Sequence, residues 1–405
     1  MTVAIDRADP YEAYKRLREQ APVHRIEGPM GAEIWLVSRY EDARAALSDP
    51  RLSKHPRHAP QWVRDLGLVT ESENPLGVNL LSTDPPDHTR LRRLVTSAFT
   101  RRRMEALRPR VQQITDALLD EMAGGTEADL LAALAFPLPV TVICELLGVP
   151  FADRHDFHRN TRASISPELT PEGLAAQREA RRWMRDYMTG LVANARVRVD
   201  PTLPPDELPD LVSALVVAAD ERDGLSEDEL VGMIQLLLVA GHETTVNLIG
   251  NGMLALLCHP DQLKLLRERP ELVVPAIEEL LRFDGPVERA TPRYTVQDVE
   301  IAGVTIPANS MVSVVLAAAD HDPAHAPQGD QLDITRATPS HLAFGHGLHF
   351  CLGAPLARLE GQIAIGTLVR RFPDLALAVS PEKLRWRDNG ITSIIRGLEE
   401  LPIRY

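Results

Sequence analysis

A mainly α fold with a small β region is predicted by three stretches of this chain. From Ser226 to about Cys258 the residues are apolar nearly all round a helix, behind the capping box Ser226-Glu227-Asp228-Glu229 and ahead of Pro260. At about 1.5 Å per residue such a helix spans about 50 Å, the length of a whole domain. Strand-like alternation is gathered instead into residues 286–316. Between His341 and Arg358 a glycine-rich loop delivers one cysteine, Cys351, to the start of a further helix.

The 405 residues, 44% of them hydrophobic, suffice for a large core, and a single domain over residues 1–405 is expected. The formal charge of 44 − 57 = −13 argues against a nucleic-acid partner, which would call for a basic face. Cys144, Cys258 and Cys351 are too widely spaced for a disulfide framework. The N-terminus has no apolar run, so no signal peptide or membrane anchor is expected, and the expected location is cytoplasmic.

Taken in order, a helix is expected over Tyr11 to Gln20, then short strands at Val23–Arg25 and Ile34–Val37, then a helix from about Arg39 to Ser48. Residues 51–82, with Pro56, Pro60, Pro75 and little periodicity, read as a binding loop or lid or as a merely solvated loop. A helix is expected to start with Asp84 as its cap and Pro85 at its first position. His88 and Arg92 share a face of it, flanked by Leu91 and Val95, a cation pair that suits either an anion or plain solvent. Arg101, Arg102, Arg103, Arg108 and Arg110 form a basic cluster, either a solvated face or a docking surface for an acidic electron donor. Helices follow at Val111–Met122, Ala133–Leu147 and Glu172 to about Arg196, the last within the polar, interrupted stretch 151–210.

Halfway along the long apolar helix lies Ala240-Gly241-His242-Glu243-Thr244-Thr245, a polar break where a core helix should have none. Burying Glu243 costs several kcal/mol unless it is paired or functional. Gly241 removes a side chain, and Thr244 can bond back to the carbonyl of residue 240, so a groove lined by an acid and an alcohol is expected. Further on, Glu279 and Arg282 stand at i, i+3 as a helical ion pair. Strands are expected at Arg293–Val296, Val299–Ile301, Val304–Ile306 and Met311–Leu316, and a closing hairpin at Ile391–Ile394.

Cys351 follows Gly345 and Gly347 and precedes a helix marked by Leu352, Leu356, Leu359 and Ile363, with Pro355 in its first turn. The positive end of that helix favours thiolate over thiol. A zinc site from His341, His346, His349 and Cys351 is spaced too tightly, and a buried structural cysteine needs neither the glycines nor the histidines. An axial haem ligand uses every neighbour: loop amides for the sulfur, Phe344 as its shield, His349 for a propionate.

Phe344-x-x-Gly347-x-His349-x-Cys351-x-Gly353 resembles the haem-binding signature of the cytochrome P450 family, and the rest of the chain agrees with it. The resemblance implies the P450 fold, a triangular prism with haem b (iron protoporphyrin IX) buried between the long central helix and the helix after Cys351. It implies Cys351 as the iron ligand and Phe344, Gly345, His349 and Gly353 around it. Ala240 and Gly241 would lie against the cofactor, and His88, Arg92 and Arg293 would hold its propionates. Thr244 would support oxygen activation, with Glu243 relaying protons for O–O cleavage. Glu279 and Arg282, closed by Arg336, would be fold residues. Val287, Ala290, Ile391 and Thr392 would line the substrate pocket, and the 151–210 stretch would be a lid. Two departures stand out: Asn309 where relatives often carry glycine, and the run Asp320-His321-Asp322.

The implied activity is hydroxylation of an unactivated C–H bond with one atom of O2. The expected substrate is a bulky apolar molecule, macrolide, polyketide or steroid-like, in secondary metabolism. No phosphate-cradling glycine motif follows any strand, so a ferredoxin and a ferredoxin reductase are the expected electron donors to a monomeric enzyme. A peroxide-driven or oxidative-coupling enzyme on the same scaffold and a haem-binding sensor are the alternatives. The Glu243–Thr244 pair speaks against both.

Overall fold

The computed structural model describes residues 6, 8–27, 32–65, 69, 77–153, 156–157, 159–160, 163, 171–204, 207–220, 224–337, 340–387 and 394–405. In chain order the elements used below are α1 (Tyr11–Gln20), β1 (Val23–Glu27), β2 (Glu33–Val37), α2 (Tyr40–Ser48), β3 (Leu52–Ser53) and α3 (Gln61–Asp65). Then come α4 (Asp87–Ala98), α5 (Arg101–Ala106), α6 (Arg108–Met122), β4 (Glu127–Asp129), α7 (Pro137–Leu147), α8 (Pro171–Arg198) and α9 (Leu211–Ala219). The central helix is α10 (Glu227–Cys258), followed by α11 (Pro260–Glu268) and α12 (Val273–Asp284). The chain ends with β5 (Arg293–Thr295), β6 (Val299–Ile301), β7 (Val304–Ile306), β8 (Met311–Val314), α13 (Leu316–Asp320), α14 (Ala354–Arg371), β9 (Ala376–Leu377) and β10 (Pro402–Arg404).

These elements fall into two compact units. One holds Met1–Ser72, Thr115–Phe136 and Thr244–Tyr405. It contains a five-stranded sheet of order β1-β2-β8-β5-β3, in which β2 and β8 are parallel (Ile34↔Met311) and the other pairs antiparallel. One apolar cluster joins α2 to this sheet through Tyr40, Leu47, Leu52, Val312 and Leu316, with Val287 and Ala290 packed on it. A second seats Tyr14 and Leu17 of α1 against Ile34, Tyr294 and Met311. The other unit holds Glu73–Ile114 and Pro137–Glu243 and is helical, with α9 packed on α4, α7 and α8.

The sequence placed most of these elements, and the differences have local causes. The capping box closes both ways: Glu229 N–H donates to Ser226 Oγ at 3.2 Å and Ser226 N–H to Glu229 Oε2 at 2.8 Å. Asp84 and Pro85 do not start α4, which begins at Asp87 after a cis Pro85–Pro86 bond. The expected Ala133–Leu147 helix is a π turn over Leu131–Ala135 joined to α7, because Pro137 cannot donate into an unbroken α ladder. Strand β8 ends at Val314 and Leu316 opens α13. Helix α9 was not expected: nine residues, all but Ser213 apolar and buried on almost every side, carry no periodic mark. Asn309 takes its positive φ of 58°. The 51–82 stretch carries β3, a 3-10 turn at Pro56–His58 and α3; within it residues 66–68 and 70–76, including Leu66, Leu68 and Pro75, lie outside the described residues.

Candidate active site

Gly345 and Gly347, both with φ of 72°, turn the chain back so that Cys351 N–H donates to the Phe344 carbonyl at 2.9 Å. A Cβ on Gly347 would lie 2.8 Å from Ser48 Oγ and 3.2 Å from the Leu47 carbonyl, so this turn is pressed against the end of α2. Cys351 is exposed, three residues before α14, whose first turn contains Pro355. Phe344 is half-buried under the Arg358 guanidinium, 4.5 Å from its ring centroid. Arg358 in turn donates to Glu278 of α12 at 2.7 and 2.8 Å, and His341 Nε2 lies 3.2 Å from the same carboxylate. Ala343 N–H donates to His341 Nδ1, which leaves the ring proton on Nε2 for Glu278. Burial works against the Glu278 charge, but His341 and Arg358 outweigh it and hold its pKa down at about 2.

Below this loop, Glu279 and Arg282 are wholly enclosed and paired at 2.8 Å through both carboxylate oxygens. Arg336 adds a contact at 3.1 Å, and Arg282 also donates to the carbonyls of Asp320, Gly329 and Gln331. The triad expected to be structural is thus assembled. In the same unit Arg293 is buried on β5 and donates to the Leu52 carbonyl at 3.4 Å. His349 is half-buried in the 3-10 turn before Cys351. Val287 and Ala290 are half-buried, whereas Ile391 and Thr392 lie outside the described residues.

Helix α10 remains α-helical through residues 240–245. Although buried for most of its length, it leaves Leu237, Val239, Ala240, Gly241, Glu243 and Thr244 partly or fully open, and Leu237, Ala240, Gly241 and Thr244 share a face. A Cβ on Gly241 would come 3.0 Å from Ile143 Cδ1, so this glycine makes room for Ile143 of α7 rather than for open space. Glu243 is 18% exposed, with His242 Nε2 at 3.6 Å from its Oε2. The two adjacent threonines differ. Thr245 is buried and hydrogen-bonded to Glu360 of α14, an enclosed acid whose pKa burial pushes up to about 8. Thr244 lies on the open face. The sequence reading missed Glu360, although an acid one turn from Leu356 on an apolar helix face was a visible signal.

On α4, His88 is buried, and burial followed by the nearby Arg92 charge lowers its pKa. The basic cluster is largely spent on internal partners. Arg103 is buried against the Leu208 carbonyl, Arg110 pairs with Glu145 at 2.8 Å and Arg108 with Glu105 at 3.2 Å.

Among the described residues no group of three His, Cys, Asp or Glu side chains could hold a metal ion by itself. A metal at Cys351 would therefore have one protein sulfur and take its other ligands from a non-protein group. A macrocycle meets that requirement.

Comparison with known proteins agrees. The family model for Cytochrome P450 matches residues 170–383. Cytochrome P450 monooxygenase PikC of Streptomyces venezuelae is 50% identical over 402 residues, 98% of this chain and 91% of that protein. Vitamin D(3) 25-hydroxylase of Pseudonocardia autotrophica is 46% identical, covering 98% of this chain and 93% of its own. The solved structure of the bacillaene polyketide synthase cytochrome P450 PksS of Bacillus subtilis superposes with a TM-score of 0.88 at 39% identity, over 98% of this chain and 97% of that one. The chain belongs to the cytochrome P450 family. It is a monooxygenase with the P450 fold that binds haem through a cysteine thiolate and uses O2, a small-molecule substrate and redox partners. No helix among the described residues is long and apolar enough to cross a membrane.

Proposed function

We propose that residues 1–405 form one haem b monooxygenase domain that hydroxylates a bulky apolar polyketide, macrolide or steroid-like molecule. The observation that carries the reading is the turn that presents Cys351, closed by its N–H on the Phe344 carbonyl, with the Phe344 ring lying under the Arg358 guanidinium. Bound haem supplies the activation of O2 for insertion into a C–H bond. Cys351 would ligate it, with Gly345 and Gly353 keeping the loop close, and His88, Arg92, Arg293 and His349 would take its carboxylates. Ala240 and Gly241 would lie along it. Glu243 would pass protons inward, and Thr244 would hold a proton at its hydroxyl.

The substrate class rests on the names of the relatives, a polyketide synthase P450 and a vitamin D(3) hydroxylase. Val287 and Ala290, and by the same analogy Ile391 and Thr392, would face that substrate. Electrons would come from a ferredoxin and its reductase, in the cytoplasm, to a monomeric enzyme. A peroxide-driven reaction is disfavoured by the Glu243–Thr244 pair. The deciding experiment is the absorbance spectrum of the purified, dithionite-reduced protein under carbon monoxide. A strongly red-shifted Soret band is expected, and a preparation that takes up no haem even on reconstitution overturns the reading.

A further inference from the structure

The run Asp320-His321-Asp322, out of keeping with the family's common pattern, is enclosed throughout, with residue exposures of 2%, 6% and 8%. Each member ties down a different element. Asp322 Oδ2 accepts the Tyr40 N–H at the start of α2 at 2.9 Å. His321 Nε2 donates to the Phe283 carbonyl near the end of α12 at 2.7 Å, its ring stacked on Tyr11 at 4.3 Å. Asp320 Oδ1 accepts the Leu342 N–H at 2.7 Å, where the cysteine loop begins.

That last bond is the first of a short series. The Leu342 carbonyl accepts the Gly345 N–H at 2.7 Å, closing the positive-φ turn, and the Phe344 carbonyl accepts the Cys351 N–H at 2.9 Å. On its other side Asp320 is fastened to the Glu279–Arg282–Arg336 cluster, because Arg282 donates to the Asp320 carbonyl at 3.0 Å. One residue thus connects the buried ion cluster to the loop that carries the sulfur. We propose that Asp320 is a positioning residue for the Cys351 loop: its enclosed carboxyl clamps the Leu342 amide, and ionisation of that carboxyl favours a loosened loop in which water reaches it. The inference rests on the haem-thiolate reading only for what the loop is used for, not for the clamp itself.

The groups that face this carboxylate are few. Arg282 approaches from α12 with Glu279 as its partner, His341 from the loop, and the Tyr40 hydroxyl from α2. Burial raises the Asp320 pKa to about 7, against the pull of His341, the Leu342 amide and Arg282. The proton therefore exchanges near neutral pH. Opening the loop returns this carboxyl to water, where it ionises more readily, so the clamp slackens as pH rises.

Amide hydrogen exchange of the haem-loaded protein, read by mass spectrometry on peptides spanning 340–350 and corrected for intrinsic rates, tests this directly. In the native chain protection of this segment should fall about fivefold between about pH 5.5 and pH 8.5. In D320N, which keeps an acceptor oxygen but cannot ionise, protection should be independent of pH. D320A should lose protection at every pH, and D320N alone decides if D320A does not fold. An unchanged fall in D320N, or a flat profile in the native chain, overturns the proposal. A missing red-shifted carbon monoxide band with the fall intact would instead sink the haem reading and leave the clamp standing.

Discussion

Arg358 grips Glu278 through two hydrogen bonds of 2.7 and 2.8 Å while its guanidinium lies over the ring of Phe344, so one ion pair holds the cation that covers this ring. Glu278 has its pKa depressed to about 2, so its ion pair contributes stability above the usual carboxylate range, and that contribution is lost as pH falls from about 4.5 toward 2. E278Q should lower stability by about 2–3 kcal/mol at neutral pH and by little near pH 2. Denaturant midpoints at the two pH values measure the difference; equal losses at both would show that the charge is irrelevant.

Glu360 behaves in the opposite sense. Its pKa is raised to about 8, so the folded chain keeps a proton that the unfolded chain releases, and stability falls as pH rises from about 4.5 to about 8. E360Q retains a hydrogen-bonding group for Thr245 without that penalty. Its stability relative to the native chain should improve by roughly 2–4 kcal/mol across that window and change little above it. Thermal midpoints at a series of pH values give the curve.

Thr244 is predicted to matter for coupling rather than for folding, since it lies on the open face of α10 while Thr245 makes the buried contact. T244A should keep its thermal midpoint yet lose most of its product per electron consumed, about fivefold or more. T245A should show the reverse. Product yield measured against reductant oxidised separates them, and unchanged coupling in T244A would remove Thr244 from the proton path.

Gly347 combines a φ of 72° with a Cβ position that meets Ser48 and Leu47. G347A should cost at least about 2 kcal/mol and displace the loop from α2. Haem transfer to an apo-globin acceptor should accelerate, and a retention time equal to the native protein's would show that the turn has slack.

Much of this architecture was legible because it is written in local signals. The 3.6-residue period of Tyr11–Gln20 and the reciprocal cap at Ser226 placed two helices to within a residue. The cysteine loop was legible because Gly345 and Gly347 answer a backbone need, each with a positive φ. What stayed hidden depends on partners far away in the chain. Nothing in residues 100–110 says that Arg103 will be buried against the Leu208 carbonyl. Gly241 reads as an opening until Ile143 is seen to occupy the space. Asp320 stood out only as part of a departure from the common pattern, and the fold shows that it meets Leu342.

Glu243 and Thr244 occupy consecutive positions of one unbroken helix, about 100° apart around its axis. They are therefore geared together: a roll of the helix that advances the alcohol withdraws the acid by a matching arc. Neither can be retuned by a neighbouring loop, so variation among substrates must be absorbed elsewhere in the chain. Directed changes that shift α10 as a whole should trade hydroxylation efficiency against proton supply, whereas changes confined to the surrounding loops can alter selectivity and leave that gearing as it is.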